Sequence, residues 1–197
     1  VNARAGFFLM QAAIADMKRR GAGGAIVNIL SMNAYCGDPL LAIYSGTKGA
    51  MATMTKNAAR AHMADRIRVN GINLGWVATE TEIRLHQARG NGPDWFEAEA
   101  AKLPLGRFVT AEECARLAAF LLSDASVPMS GALVDLEQKV AQERSENCTR
   151  ARSQLTALND GLRIVRTNEK GEREVLDDKA RAEEIQRMRS VMATDCK

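Results

Sequence analysis

The chain has 197 residues and a net charge of +3, from 27 basic and 24 acidic side chains. This balance excludes the strongly basic surface typical of nucleic-acid-binding proteins, and 46% hydrophobic residues exclude a wholly disordered chain. No apolar run approaches the roughly 20 residues of a membrane span, and the first 15 residues lack the basic lead-in of a signal peptide. We therefore expect a folded protein with neither nucleic-acid nor membrane partners.

Three segments of the first part have helical apolar spacing, and three are short apolar or alternating runs typical of strands. In chain order they are helix 5–20, strand 25–30, helix 44–64, strand 68–74, helix 112–122 and strand 132–136. This order predicts an α/β fold with a parallel sheet. The glycines Gly21, Gly23 and Gly24 follow the first helix and predict its end.

The composition changes near residue 141. All nine aromatic residues lie at or before Phe120. Charged side chains number 28 among the first 141 residues and 23 among the last 56, so their density doubles. We predict two parts: a domain over 1–141 and a charged tail over 142–197.

The residues that could carry out acid/base chemistry lie at the end of the first predicted strand and on the helix that follows it. Ser31 closes the strand 25–30, and Tyr44 and Lys48 follow four residues apart, on one face of the next helix. A phenol is a poor acid or base at neutral pH, but a nearby ammonium favours the phenolate and lowers the pKa of the phenol. The pair therefore predicts an acid/base centre, and Ser31 could bond a substrate oxygen at the same edge of the sheet.

Several segments resemble, in order, motifs of the short-chain dehydrogenase/reductase family. They are VN at 1–2, IVNILS at 26–31, YSGTK at 44–48, RVNGINLGWVATE at 68–80, PLGRF at 104–108, FLLSD at 120–124 and SGALVD at 130–135. Together they cover nearly all of residues 1–141 and resemble the carboxyl-terminal part of the family's domain. The resemblance implies an oxidoreductase that exchanges a hydride between NAD or NADP and an alcohol/carbonyl pair.

The resemblance also implies a role for each matching residue. Tyr44 would exchange the proton at the substrate oxygen, and Lys48 would lower its pKa and bond the nicotinamide ribose. Ser31 would orient the carbonyl, and Asn2 would hold a water in the proton relay. Three further residues would line the nicotinamide and phosphate side of the cofactor, namely Gly75, Val77 and Thr79.

The expected fold is an incomplete Rossmann-like doubly wound sheet. No strand in the sequence is followed by a Gly-rich turn and a helix, the arrangement that binds a pyrophosphate. We therefore expect a truncated enzyme that is inactive alone. The resemblance implies that the complete parent is cytoplasmic and forms a homotetramer through paired helices, including the one that carries Tyr44.

Two positions depart from the family pattern, and a third segment bears on the substrate. Leu74 stands where the family usually has proline, and DLEQKV at 135–140 replaces the common DGG, a variant that resembles members acting on sugars and polyols. Segment 81–103 is either a mobile substrate loop or a lid whose Trp95 and Phe96 pack onto the body. His62 and His86 lack partners at ligand spacing, so we expect no metal site.

The tail predicts a helix over 143–158, strands over 162–167 and 172–176 joined by a turn at Gly171, and a helix from Asp177 or Asp178 to about Thr194. Cys148 and Cys196 lie in the two helices and are either a disulfide or unrelated thiols. The tail loosely resembles small bacterial envelope proteins of unknown function that pair terminal cysteines.

A disulfide belongs to an oxidising compartment and conflicts with a cytoplasmic enzyme. An artificial join of two proteins is the explanation we favour, and a natural fusion with a reduced tail or a coiled interaction module are the alternatives. The competing function is a non-catalytic interaction or structural protein, in which the tail is the working part and the dehydrogenase remnant is a scaffold.

Overall fold

The structure, a computed structural model, describes residues 1–35, 39–92, 94–103, 105–160, 165–167, 173–175 and 177–196. In chain order its elements are α1 (Asn2–Arg20), β1 (Gly24–Ser31), α2 (Ala42–Ala61), β2 (Ile67–Leu74), α3 (Glu80–Ala88), α4 (Trp95–Ala100), α5 (Ala111–Leu122), β3 (Leu133–Asp135), α6 (Leu136–Asn159), β4 (Val165–Thr167), β5 (Arg173–Val175) and α7 (Asp178–Asp195). Two compact units divide the chain, Val1–Lys139 and Val140–Lys197.

The first unit is built on a parallel sheet in the order β1-β2-β3. β1 pairs with β2 along its whole length, from Gly24 opposite Ile67 to Ser31 opposite Leu74. β3 pairs with β2 over three positions that end at Asn73 and Asp135. All three strands therefore end at the same edge of the sheet, where open α/β folds bind ligands.

Alternate side chains of β2 identify what covers each face of the sheet. Ile67 and Val69 pack with Met10 and Ile14 of α1 and with a buried alanine of α2. Arg68, between them, points to the opposite face, where its guanidinium donates to the Leu121 carbonyl and two serines at the end of α5. Helices thus lie on both faces, which confirms the predicted α/β class with a parallel sheet.

Burial falls from the middle of the sheet towards β1. Val69 and Ile72 of β2 are fully buried. Ile29, opposite Ile72 on β1, exposes 45% of its surface. Parallel strands are normally covered on all sides, so β1 is an open edge of this unit.

Backbone constraints explain two of the glycines after α1. Gly21 has a φ of 69°, and its N–H donates to the carbonyls of Met17 and Lys18, which ends the helix in the left-handed conformation. Gly23 has a φ of 73°, and a Cβ there would stand 2.6 Å from the Arg66 carbonyl oxygen. Any other residue at Gly23 would clash with the turn that leads into β2.

The second unit consists of α7 and most of α6, with β4 and β5 as an antiparallel pair. Ala151, Leu158 and Met188 form its small core. A disulfide joins Cys148 to Cys196, with their Cα atoms 5.0 Å apart, so the structure has the first of the two predicted alternatives. The predicted turn at Gly171 lies outside the described residues.

Three elements differ from the sequence prediction. The strand predicted to reach residue 136 stops at Asp135, and α6 begins at once and continues to Asn159. Residues 136–159 contain neither glycine nor proline, so the helix runs through the predicted boundary at 141.

Segment 81–103 contains most of α3, which begins one residue earlier, and all of α4. The Thr79 side chain caps α3 by accepting the Glu82 N–H.

Among the helices that the structure describes, none is both long and apolar enough to cross a membrane.

The disulfide makes the stability of the second unit depend on redox state. Replacing Cys148 and Cys196 together by serine should lower its free energy of unfolding by about 2–4 kcal/mol, because the unfolded loop is no longer constrained. Urea unfolding followed by far-UV circular dichroism measures this change. Both tryptophans lie in the first unit, so their fluorescence transition serves as the internal control. Equal unfolding midpoints for the circular dichroism transition before and after replacement would contradict a stabilising bridge.

The start of α5 predicts a pH dependence. The Arg107 guanidinium holds the pKa of the Glu113 carboxyl below its usual value, assisted by the Thr110 N–H. A depressed pKa adds stability that is present above the unfolded value of about 4.3 and is lost as pH falls through the folded value. Glu113→Gln should therefore flatten the acid side of the stability curve measured by tryptophan fluorescence. Glu112→Gln, at an exposed neighbour, should leave that slope unchanged.

Candidate active site

Ser31 lies where β1 ends and is 92% buried, with 8% of its surface exposed. Its Oγ accepts the Asn33 N–H at 3.2 Å, which caps the short turn Met32–Ala34. This turn packs against α2, the helix that carries the tyrosine and lysine. Because Oγ is the acceptor in that bond, its hydrogen can be donated to a ligand oxygen.

Tyr44 and Lys48 lie one turn apart in the first half of α2, as predicted. The Lys48 Nζ is 5.7 Å from the centre of the Tyr44 ring. It also donates to the Ile29 carbonyl of β1 at 2.9 Å. Burial lowers the pKa of the Lys48 ammonium. The lysine is thus beside the phenol ring but bonded to the strand.

Asn2, the first residue of α1, contacts α2 through the hydroxyl of Thr47. Its Nδ2 donates to Thr47 Oγ1 at 3.5 Å, and Thr47 Oγ1 donates to the Tyr44 carbonyl at 2.7 Å. Asn2 therefore contacts the backbone turn of the tyrosine, while its predicted role towards water stays a prediction. Ser45, between Tyr44 and Thr47, has a buried Oγ without a hydrogen-bond partner among the described residues.

Gly75, Val77 and Thr79 follow β2 in a loop fixed at two points. Val77 forms an isolated parallel bridge with Val109, and Thr79 caps α3. A Cβ on Gly75 would stand 3.1 Å from the Glu137 Oε2 atom. The absence of a side chain at Gly75 therefore leaves room beside the Glu137 carboxylate.

A polar network that the sequence analysis missed lies at the same edge of the sheet. Asn73 is fully buried, and its Nδ2 donates to Tyr35 Oη and to Asp135 Oδ1, both at 2.7 Å. Asn73 Oδ1 and Glu137 Oε1 are buried without a hydrogen-bond partner in the described part of the chain. The available signal was an asparagine at a core position of an otherwise apolar strand.

An aromatic cluster joins α3 and α4 to the loops that follow β2 and precede α5. Trp95 stacks on His86 at 3.7 Å between ring centres, and its ring centre is 5.2 Å from that of Trp76. Phe96 and Trp76 each contact Phe108. Of the two readings of segment 81–103, this geometry matches a lid whose Trp95 and Phe96 pack onto the body.

His86 fixes the lid through both ring nitrogens. Nε2 lies 3.2 Å from Glu82 Oε1, and Nδ1 lies 3.0 Å from Asn91 Nδ2. An amide nitrogen only donates, so Nδ1 accepts and Nε2 carries the hydrogen that bonds Glu82. Both partners are local, four and five residues away, and the helical spacing of Glu82 and His86 was the signal that could have predicted the first contact.

The structure thus gathers the predicted residues around one edge of the sheet. Ser31 ends β1, Tyr44 and Lys48 lie on the helix packed against it, and Gly75 follows β2. Asn2 joins them through Thr47. The arrangement offers a phenol beside an ammonium, a hydroxyl donor and a side-chain-free approach at Gly75. These are the parts of an acid/base site for a carbonyl or hydroxyl group.

Comparison with known proteins identifies the family of the first part of the chain. The family model described as enoyl-(acyl carrier protein) reductase matches residues 1–137. Carbonyl reductase [NADPH] 2 of Sus scrofa is 34% identical over 134 residues, which cover 68% of this chain and 53% of the relative. The chain spans about half the length of the curated relatives it matches.

Solved structures agree in fold. A short-chain type dehydrogenase/reductase from Mycobacterium ulcerans superimposes with a TM-score of 0.61 at 28% identity, over 68% of this chain and 47% of that one. A gluconate 5-dehydrogenase from Burkholderia cenocepacia J2315, in complex with NADP and tartrate, superimposes with a TM-score of 0.60 at 30% identity, over 68% and 51%. Over residues 1–137, the chain belongs to the short-chain dehydrogenase/reductase family.

Proposed function

We propose that the domain to which residues 1–137 belong is an NAD(P)-dependent oxidoreductase that interconverts an alcohol and a carbonyl. The observation that carries this proposal is the placement of Tyr44 and Lys48 on one turn of α2, beside the strand that ends at Ser31. Among the similar proteins, a carbonyl reductase and a gluconate 5-dehydrogenase support this class of reaction. A sugar or polyol is the substrate that we favour within it.

Each polar residue has a defined task in this proposal. The Ser31 hydroxyl donates to the substrate oxygen and orients it. The Tyr44 hydroxyl gives that oxygen its proton, or takes it in the reverse direction. The Lys48 ammonium beside the ring favours the phenolate and so brings the pKa of the phenol towards the working pH. Asn2, held by Thr47, positions the water that exchanges this proton with solvent.

The residues present fit the nicotinamide end of the cofactor. The orphaned acceptors Asn73 Oδ1 and Glu137 Oε1 suit a ligand that brings donors, as a carboxamide and ribose hydroxyls do. Gly75 lies beside the Glu137 carboxylate. In this proposal Val77 and Thr79 also line the cofactor, and Lys48 and Tyr44 contact its ribose. The bound dinucleotide would supply the hydride chemistry.

The groove between α1 and α2 supports an oligomer of the complete protein. A groove of about 500 Å³ runs between these helices and includes Phe7, Met10, Ile14 and Met54 among its lining residues. Exposed apolar grooves of this kind mark interaction surfaces. We place a second copy there, as the paired helices of a homotetramer require, in a cytoplasmic protein.

The competing function is a non-catalytic interaction protein. The bond between Lys48 and the Ile29 carbonyl favours it, because this bond commits one of the three N–H donors of the ammonium to the strand. The disulfide-closed second unit would then be the working part. Cofactor binding and the role of Tyr44 distinguish the two functions.

The isolated chain should bind dinucleotide weakly. It lacks the strand, Gly-rich turn and helix N-terminus that bind a pyrophosphate, so most of the contacts of a cofactor site are missing. Calorimetric titration with NADPH and with NADH should give dissociation constants above roughly 10 µM and no turnover. A tighter constant would contradict the proposal that the chain is inactive alone.

Tyr44 should be required for turnover in a completed domain. We would join this chain to the amino-terminal half of the Burkholderia gluconate 5-dehydrogenase and replace Tyr44 by phenylalanine. Loss of the hydroxyl should lower kcat by about 100-fold or more while cofactor affinity stays within threefold, because the proton donor is removed and the ring remains. Steady-state kinetics and fluorescence titration measure the two effects.

Tyr35 provides the matched control, because it is the other of the two tyrosines and lies outside the proposed constellation. Tyr35→Phe removes a hydroxyl that accepts from Asn73. It should keep kcat within a few-fold of the parent value. Unchanged turnover in Tyr44→Phe would count against the proposed acid/base role.

A further inference from the structure

Glu137 stands at a position where the family pattern has glycine. The segment DLEQKV at 135–140 replaces the common DGG, so Glu137 takes the place of the second glycine. β3 ends at Asp135, and Glu137 lies in the first turn of α6. A helix N-terminus favours a negative charge, which explains why a carboxylate is tolerated there. This carboxylate is therefore a group that the family pattern does not account for.

Strand register brings the Glu137 carboxylate to the loop that follows β2. Asn73 pairs with Asp135, so the residues two positions further on, Gly75 and Glu137, are neighbours. A Cβ on Gly75 would stand 3.1 Å from Glu137 Oε2. The carboxylate thus lies against the first residue of a loop that we assign to the cofactor.

The same register defines the side of the sheet on which they meet. Side chains alternate along β2, and a Cβ on Gly71 would contact Leu30, which packs with buried residues of α2. Asn73 and Gly75 continue the alternation of Gly71. The helix that carries the proposed acid/base pair therefore covers the face on which Glu137 meets Gly75.

The charge of Glu137 is not neutralised by its surroundings. Among the described residues it takes part in no ion pair, and its Oε1 atom is buried without a donor. The amide of Asn73 offers it no hydrogen, because Nδ2 already donates to Tyr35 Oη and Asp135 Oδ1. Asn73 Oδ1 is a second buried acceptor without a donor in the described part of the chain. A ligand that brings positive charge would stabilise this arrangement.

The two redox forms of a nicotinamide differ in the charge of the ring. The reduced ring is neutral, and loss of a hydride leaves the oxidised ring with one positive charge. The carboxamide and ribose, which bring the hydrogen-bond donors, are the same in both forms. A carboxylate beside the ring therefore discriminates between the two forms by charge, whereas a neutral acceptor does not.

We propose that the Glu137 carboxylate, beside Gly75, makes the nicotinamide site prefer the oxidised ring to the reduced one. This inference rests on the proposed function, which places the nicotinamide beside Gly75. Tighter binding of the oxidised form makes the bound reduced form a stronger hydride donor. A tenfold preference corresponds to a potential about 30 mV lower than that of a site without preference. Glu137 thus biases the site towards reduction of a carbonyl.

Nicotinamide mononucleotide tests this preference on the intact 197-residue chain. It carries the ring, the ribose and one phosphate, so it needs no adenosine pocket, and its two redox forms differ only at the ring. NMR titration with each form should give a dissociation constant at least fivefold lower for the oxidised form. Equal affinities, or tighter binding of the reduced form, would overturn the inference.

Glu137→Gln removes the charge and keeps both the shape of the side chain and an acceptor oxygen. It should abolish most of the preference by weakening the oxidised form at least fivefold, while the affinity for the reduced form stays within twofold. An equal loss for both forms would assign Glu137 to a hydrogen bond with the carboxamide or ribose. That result would overturn the charge preference and leave the proposed function intact.

Asp124→Asn is the matched control. Asp124 is exposed and lies in the turn that bonds the Arg68 guanidinium near the start of β2, at the other end of the strand from Gly75. The same loss of charge there should leave the preference unchanged. A preference that falls equally in both variants would show that the net charge of the chain, rather than Glu137, sets it.

The outcomes separate this inference from the proposed function. Measurable binding of both forms without a preference contradicts the inference alone. Failure of both forms to bind at millimolar concentrations contradicts the placement of the nicotinamide, and with it both the inference and the proposed cofactor site. The comparison of the two forms on the unmodified chain needs no variant, so it stays decisive if Glu137→Gln fails to fold.

Discussion

The parallel pairing of β1 with β2 is the interaction on which the rest of the first unit depends. It sets Ser31 opposite Leu74, so the residues that follow each strand emerge side by side. The polar turn after β1 and the Gly75 loop after β2 meet there for this reason alone. A shift of one residue in this register would send the buried Ile67 and Val69 to the opposite face and separate the site.

Lys48 contacts both the paired strand β1 and the ring of Tyr44. It belongs to a helix that packs on the sheet, its ammonium is partly desolvated, and its strongest described contact is a strand carbonyl rather than the phenol. A partly buried ammonium needs an acceptor, and the Ile29 carbonyl of β1 supplies one.

The second unit combines a small core with a disulfide. Its sequence has no aromatic side chain, and the described part of its core has three buried residues, which is little apolar surface for a unit of its size. The disulfide between Cys148 and Cys196 compensates by constraining the unfolded chain. The two units therefore differ in chemistry as well as in composition. The family match ends at residue 137, close to the change in composition.

The amino-acid sequence by itself determined the fold class, the strands and the family, because these follow from local periodicity and from motifs read in order. The spacing of Tyr44 and Lys48 set one helical face before any packing was known. Only the tertiary structure decided that Lys48 bonds Ile29, that Asn73 links Tyr35 to Asp135, and that Trp95 stacks on His86. Each of these contacts joins residues from different elements, whose approach depends on strand register and helix packing rather than on sequence spacing. The sequence analysis also missed the start of α6 at Leu136. It placed a boundary where the composition changes, but the residues on both sides of that boundary favour a helix.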